Sequence, residues 1–177
     1  MNFRINNKIY EFKFNVYKTD SIIGIGSVCQ DDKHCLFLDL DNTSLIKARS
    51  IIKKLQKEYK LSHGFLLKSS ENNYHGVFFD KLDFIKTVEI QSLVNRKHSG
   101  MTMIKGDSTI RLSSKFYINI KFINFIESDF NNNEISKAHL LTFIEHFNLN
   151  INFTSKFLKL DDSNKIKYYC YEKRVKL

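Results

Sequence analysis

The residues best suited to do chemistry lie in one stretch, from Cys35 to Arg111. First comes a pair of acids ending an apolar run, Cys35-Leu-Phe-Leu-Asp39-Leu-Asp41. On a strand, side chains two positions apart point to the same face, which would set the carboxylates roughly 7 Å apart. Two anions in a buried strand are costly unless a cation neutralises them. Mg2+ or Mn2+ suits such a pair, because both ions take oxygen ligands from one or two carboxylates and from substrate phosphates. A carboxylate pair is also the base of a two-metal clamp for phosphoryl transfer. The plain structural alternative is a strand that emerges into solvent and ends in acids.

The second group is Ser69-Ser-Glu-Asn-Asn-Tyr-His75. A small polar residue before a turn offers hydroxyl and backbone donors of the kind that hold phosphate. A lone histidine on a strand is commonly structural, but His75 follows a polar turn and lies downstream of the acid pair. The third group is Asp107-Ser-Thr-Ile-Arg111, an acid followed by an arginine on an apolar strand.

These side chains need a scaffold. Phe3 to Tyr17 alternates in part and reads as strands, followed by a loop with Gly24 and Gly26. Cys35 to Asp41 reads as a buried central strand. Asn42 or Thr43 can cap a helix whose apolar residues (Leu45, Ile46, Ala48, Ile51, Ile52, Leu55, Tyr59) recur at helical spacing as far as Lys60. Gly64 to Ser69 and Tyr74 to Phe79 read as strands joined by the turn 70–73. The result is a βαββ unit of the RNA-recognition-motif-like kind. A second helix is expected from Asp83, then a loop through Lys97, His98 and Gly100. Strands are expected over 101–104, 109–112 and 116–125, a third helix over 134–147, and a closing strand over 165–171. The fold class expected is α+β: a mixed or antiparallel sheet with helices packed on it, in one domain over 1–177. The motif core spans about 34–115, and 116–177 completes the domain with strand, helix and strand.

Composition bounds the partners. The 177 residues include 28 basic and 19 acidic, for a net charge of +9. A basic surface favours polyanions such as nucleic acid. Arg96, Lys97, His98 and Lys105 lie near the third group and are candidates for template or primer contact. The lysines of the first helix read more simply as a solvated face. Basic residues alternate with Tyr168, Tyr169 and Tyr171 near the C-terminus, a pattern that suits single strands or an ordinary amphipathic strand. Three cysteines without a C-x-x-C pair fit a reducing, intracellular (cytoplasmic) setting. No apolar run suggests a membrane span or a membrane partner.

Taken in order, these motifs resemble the archaeo-eukaryotic primase superfamily, the primase-polymerases. The resemblance runs over about residues 34–115. It implies that Asp39 and Asp41 hold Mg2+ or Mn2+, with Asp107 as a third catalytic ligand. It implies that Ser69 and His75 bind the triphosphate of an NTP or dNTP, and that Arg111 adds a phosphate or carboxylate contact. The expected reaction is attack of a 3′-hydroxyl, or of an initiating nucleotide, on the α-phosphate, directed by a single-stranded template. A helicase or other replication protein would be a fitting partner, and a virus or plasmid a fitting source. The chain departs from the family pattern at Asn73, where a small residue is usual, and in the short spacing from Asp107 to Arg111.

Two other readings remain open. Asp39-Leu-Asp41-Asn-Thr43 also resembles the opening motif of haloacid-dehalogenase-like phosphatases. That would make Asp39 a nucleophile, Asp41 an acid/base, Ser69 a mid-chain hydroxyl and Asp161-Asp162 a late acidic pair. The other is a nucleic-acid-binding replication protein with the same fold and without full chemistry.

Overall fold

The computed structural model describes residues 2–5, 8–11, 17–113, 119–130, 134–149 and 168–176, with side chains from residue 23 to residue 149 of that set. The described chain is α+β, with four helices and antiparallel sheets. In chain order the strands are β1 (Asn2–Ile5), β2 (Lys8–Glu11), β3 (Tyr17–Gly26), β4 (His34–Leu40), β5 (Gly64–Ser70), β6 (Asn73–Leu82), β7 (Thr109–Arg111), β8 (Lys121–Ile126) and β9 (Tyr168–Lys176). The helices are α1 (Leu45–Tyr59), α2 (Phe84–Val94), α3 (Arg96–Lys105) and α4 (Lys137–His146). Among the described residues no helix is long and apolar enough to cross a membrane.

The βαββ unit forms as expected and becomes a four-stranded sheet of order β4-β6-β5-β8. Its strands are buried on both faces, which explains their long apolar runs. One face carries Leu36, Leu38, Leu40, Leu66 and Phe78 and packs on Ala48, Ile52 and Leu55 of α1. The other carries Cys35, Phe37, Phe65, Leu67, Val77 and Phe79 and packs on Leu140, Phe143 and Ile144 of α4 and on Ile25 and Ile110. Ile25 and Ile110 belong to a second sheet, of order β7-β3-β9. The two sheets are tied where the Ser27 amide donates to the Ser108 carbonyl (2.8 Å) and the Cys35 amide to the Ser27 carbonyl (2.8 Å).

Local chemistry sets the ends of α1. The Ser44 hydroxyl accepts from the Lys47 amide at 3.3 Å, so Ser44 is the N-cap rather than Asn42 or Thr43. Lys60 ends the helix in a left-handed conformation (φ 53°). The β5–β6 hairpin turns at Asn72 (φ 56°), and its tip reaches back to the chain after β4. There the Thr43 amide donates to the Asn72 carbonyl (2.7 Å), and the Asn42 amide donates to the Asn73 side-chain oxygen (2.9 Å). The turn that carries Asp41 is therefore fixed by the hairpin that carries His75.

Four expectations need correction. Gly24 and Gly26 lie in β3, not in a loop. Gly24 faces Arg111, and a Cβ on it would sit 2.9 Å from the Ile110 carbonyl oxygen. The strand carrying the acids is an edge of its sheet, not its centre. Residues 97–104 are helix α3, not a loop followed by a strand. Its exposed residues include Met101, Met103 and Ile104 while Ser99 and Thr102 are buried, which is the reverse of an ordinary amphipathic pattern. β8 begins at Lys121, and residues 116–118 of the strand expected over 116–125 lie outside the described set. The closing strand is found as β9 on the second sheet, paired antiparallel to β3.

Phe143 is fully buried, with ring centroids 5.0 Å from Phe65, 5.4 Å from Phe79 and 4.8 Å from Phe147. Phe143→Ala should cost about 3–5 kcal/mol of unfolding free energy through transfer loss and the cavity left behind. Ile46→Ala, at an exposed position of α1, should change it by less than about 0.5 kcal/mol. Denaturant titration of both variants measures the difference.

Candidate active site

Asp39 and His75 face one another across β4 and β6, as paired residues of the antiparallel ladder. His75 Nδ1 lies 3.5 Å from Asp39 Oδ1, and both side chains are partly open to solvent. They continue the row of Cys35, Phe37 and Val77, so they sit at the open end of the face that packs on the second sheet. Asp41 is exposed in the turn after β4, where its Oδ2 and the Asp39 carbonyl share the Asn95 amide. The structure thus brings Asp39 and His75 together, with Asp41 in the adjoining turn; the three donors do not all lie within 4.8 Å of one another.

The free edge of β4 is covered by α2 and the start of α3. The Gln91 side-chain amide donates to the Phe37 carbonyl at 2.9 Å. One turn later the Asn95 amide reaches the Asp39 carbonyl (3.4 Å) and Asp41 Oδ2 (3.5 Å) in longer contacts. The Asn95 side chain also caps α3, accepting from the His98 amide at 3.1 Å. This arrangement brings His98 beside the acids. Sequence reasoning saw His98 as part of a basic loop, and it missed Gln91 and Asn95 altogether. Their i, i+4 spacing matches two carbonyls on one strand edge, a signal readable only once that edge is known.

The electrostatics follow from burial and proximity. Burial pushes the Asp39 carboxyl upward, but the His75 hydrogen bond and the charges of His75 and His98 outweigh it and hold Asp39 below the usual carboxylate range. Burial lowers His98, only partly offset by the charges of Asp39 and Asp41. Its Nε2 is buried without a hydrogen-bond partner.

The remaining sequence candidates divide. Asp107 does not join the acid pair. Its Oδ1 accepts from the Ser27 hydroxyl (2.6 Å) and the Ser27 amide (2.9 Å). The Ser27 oxygen in turn accepts from His34 Nδ1 (3.0 Å) and the Ser108 amide (3.2 Å). Serine, histidine and acid meet here in the wrong order for nucleophilic catalysis, because the hydroxyl proton points at the carboxylate and Ser27 is fully buried. Ser69 is also committed locally. It sits at a register shift of β5, and its hydroxyl donates to the Asn73 carbonyl at 3.2 Å.

Arg111 lines a cleft of about 260 Å³ with His98, Thr102, Lys105 and Asp107. Burial lowers its pKa, and its Nη1 is buried without a hydrogen-bond partner. A second, larger groove of about 750 Å³ runs from Asp41 between α1 and α2. Leu40, Ile51, Leu55, Leu93 and Val94 give it apolar walls, while Lys47, Lys54 and Arg96 supply positive charge. Two helix lysines read from sequence as merely solvated therefore line a groove that ends at an acid. Lys97 is exposed and lines neither cavity. Asp161-Asp162 lie outside the described residues.

Carboxylate oxygens from Asp39 and Asp41 are the donor set that suits Mg2+ or Mn2+. Among the described residues Asp39, Asp41 and Asp107 do not gather as three close ligands. The histidine, cysteine and acid donors that do so are Cys29, Cys35 and His139.

The His98 imidazole should titrate below an ordinary histidine, and Asp39→Asn should lower it further by removing a charge that favours the imidazolium. The unfolded chain then takes up the proton first as pH falls. Stability should decline from the ordinary histidine range down through the lowered value for His98. Ring-proton NMR titration of both proteins tests this; a His98 pKa above the ordinary value would refute the burial argument.

No protein-family model matches the chain, and neither the curated proteins nor the solved structures contain a match to it.

Proposed function

We propose that the chain is a metal-dependent nucleotidyltransferase of the archaeo-eukaryotic primase type, making or extending short primers on a single-stranded template during replication. The observation that carries this reading is His75 standing 3.5 Å from Asp39 at one end of one sheet face, with Asp41 in the turn that follows. A phosphoryl-transfer site needs carboxylates for the cation and a nearby donor for the phosphates, and this end of the face supplies both.

In this reading Asp39 and Asp41 would hold Mg2+ or Mn2+, which would supply neutralisation of phosphate charge. The His75 hydrogen bond favours the ionised form of Asp39. His75 donates a hydrogen bond to a phosphate oxygen of the incoming NTP or dNTP. Arg111 and Lys105 offer positive charge in the cleft that includes His98. The larger groove takes the template, its apolar walls against bases and Lys47, Lys54 and Arg96 against phosphates. Asp107 is engaged by Ser27, so the remaining cation ligands come from the nucleotide itself, as is usual for Mg2+. The setting is intracellular, with a helicase or other replication protein as partner.

The commitment of Asp107 to Ser27 also favours a second reading, a nucleic-acid-binding replication protein with this fold and without turnover. The phosphatase reading has less support. It calls for a domain wound on from Asp39, and β4 instead pairs antiparallel at a sheet edge and leaves His75 without a role.

With Mn2+ or Mg2+, a mixture of NTPs or dNTPs and single-stranded DNA, the chain should form or extend primers. Asp39→Ala should reduce the rate on the order of 10³-fold, the loss expected when several kcal/mol of charge stabilisation are removed. His75→Ala should weaken nucleotide binding about 10–100-fold, as for one hydrogen bond to a charged group. Salt-sensitive DNA binding that survives Asp39→Ala, with no turnover in any mixture, would establish the second reading instead.

A further inference from the structure

A separate polar cluster lies under α4, inside the core that joins the two sheets. Cys29 and Cys35 flank a tight turn in which the Cys29 amide donates to the Lys33 carbonyl at 2.7 Å. His139 comes from the first turn of α4. All three are buried, and their ligating atoms lie within 4.8 Å of one another.

The two sulfurs are 3.8 Å apart. Two thiolates on one tetrahedral Zn2+, each about 2.3 Å from it, are separated by about 3.8 Å. A thiol–thiol hydrogen bond has the same length, so the spacing alone decides nothing. The histidine adds independent information. Its Nε2 lies 3.0 Å from the Gly26 carbonyl oxygen, which can only accept, so Nε2 carries the proton. The lone pair is then on Nδ1, facing the Ser136 hydroxyl at 2.6 Å. A ring nitrogen held by a backbone carbonyl, with the other left free to ligate, is the usual support of a metal-bound histidine.

We propose that Cys29, Cys35 and His139 form a structural site for a thiolate-preferring divalent cation of the Zn2+ class, the cation taking the place of the Ser136 hydroxyl at His139 Nδ1. Charge favours it. Two thiolates, a neutral imidazole and a dication sum to zero, the balance a buried site requires. On binding, any proton held by either thiol passes to solvent as its sulfur–metal bond forms, and no electron moves. The bound cation would clamp the β3–β4 connection to α4. It also differs from the acidic site in kind, since sulfur and imidazole select soft ions where Asp39 and Asp41 select hard ones.

Titration of the reduced full-length chain with Co2+ tests this. The expected result is a sulfur-to-cobalt charge-transfer band and intense tetrahedral visible bands, saturating at about one equivalent per chain and abolished by Zn2+. The same bands should persist in Asp39→Asn and vanish in Cys35→Ser, with His139→Gln binding at least about tenfold more weakly. Zinc should also raise the Tm of the wild-type chain and slow alkylation of its thiols. If Cys35→Ser fails to fold, the wild-type spectrum still decides the matter. A weak octahedral spectrum without sulfur charge transfer, or thiols that alkylate equally fast with and without Zn2+, would overturn the proposal.

Discussion

A strand buried on both faces still has two edges, and β4 pairs with a neighbour of its own sheet on one side only. Its outward carbonyls, Phe37 and Asp39 among them, need donors in a place where water is largely excluded. Gln91 and Asn95 meet that need from one helix, one turn apart. The consequence reaches further than the two contacts. Seating Asn95 on β4 fixes where α2 ends and α3 begins, because the same side chain caps α3. His98 is then carried to the side of Asp39. The environment of the acid, and through it the charge state of the site, follows from how a strand edge is satisfied.

The two faces of the four-stranded sheet place different demands on the sequence. Against α1 the contacts are mostly apolar, with Gln56 of α1 and the Ser62–Asp80 pair as buried polar exceptions. The opposite face meets both a second sheet and α4, and two further polar networks enter the core there. Ser27, His34 and Asp107 form one such network, and Cys29, Cys35, Ser136 and His139 form another. Both lie near the β3–β4 connection, where the sheets separate and backbone amides lack ladder partners. Polar side chains there supply the missing hydrogen bonds, as Asp107 does for the Ser27 amide.

Much of the scaffold was legible because period and turn chemistry agreed. The apolar spacing of α1, the two-faced burial of β4 and β5, and the polar hairpin before His75 all produced the elements they indicate. The pairing of Asp39 with His75 was not among them, because it depends on β6 lying next to β4. What stayed hidden depended on tertiary partners. Residues 101–104 look like a strand because Met-Thr-Met-Ile alternates, yet they form a helix whose small polar residues are buried and whose large apolar ones are exposed. The edge position of β4 depends on β6 inserting between β4 and β5, which no local pattern encodes. Asp107 has the residue type of a metal ligand, and only the three-dimensional neighbour Ser27 reveals its structural commitment.

That commitment bears on the chemistry that remains possible. With Asp107 withdrawn, the acidic site offers two carboxylates, one of them exposed in a turn. Two carboxylates bind Mg2+ weakly by themselves, because the ion gives up its waters reluctantly and needs near-octahedral oxygen ligation. Phosphate oxygens can supply the rest, so occupancy of the site by metal and by nucleotide would be coupled, each raising the affinity of the other by the same factor. On the proposed reading such a site would stay inactive until a polyphosphate arrived. The unpartnered guanidinium nitrogen of Arg111 and the basic walls of the two cavities would favour that arrival by attracting an anion.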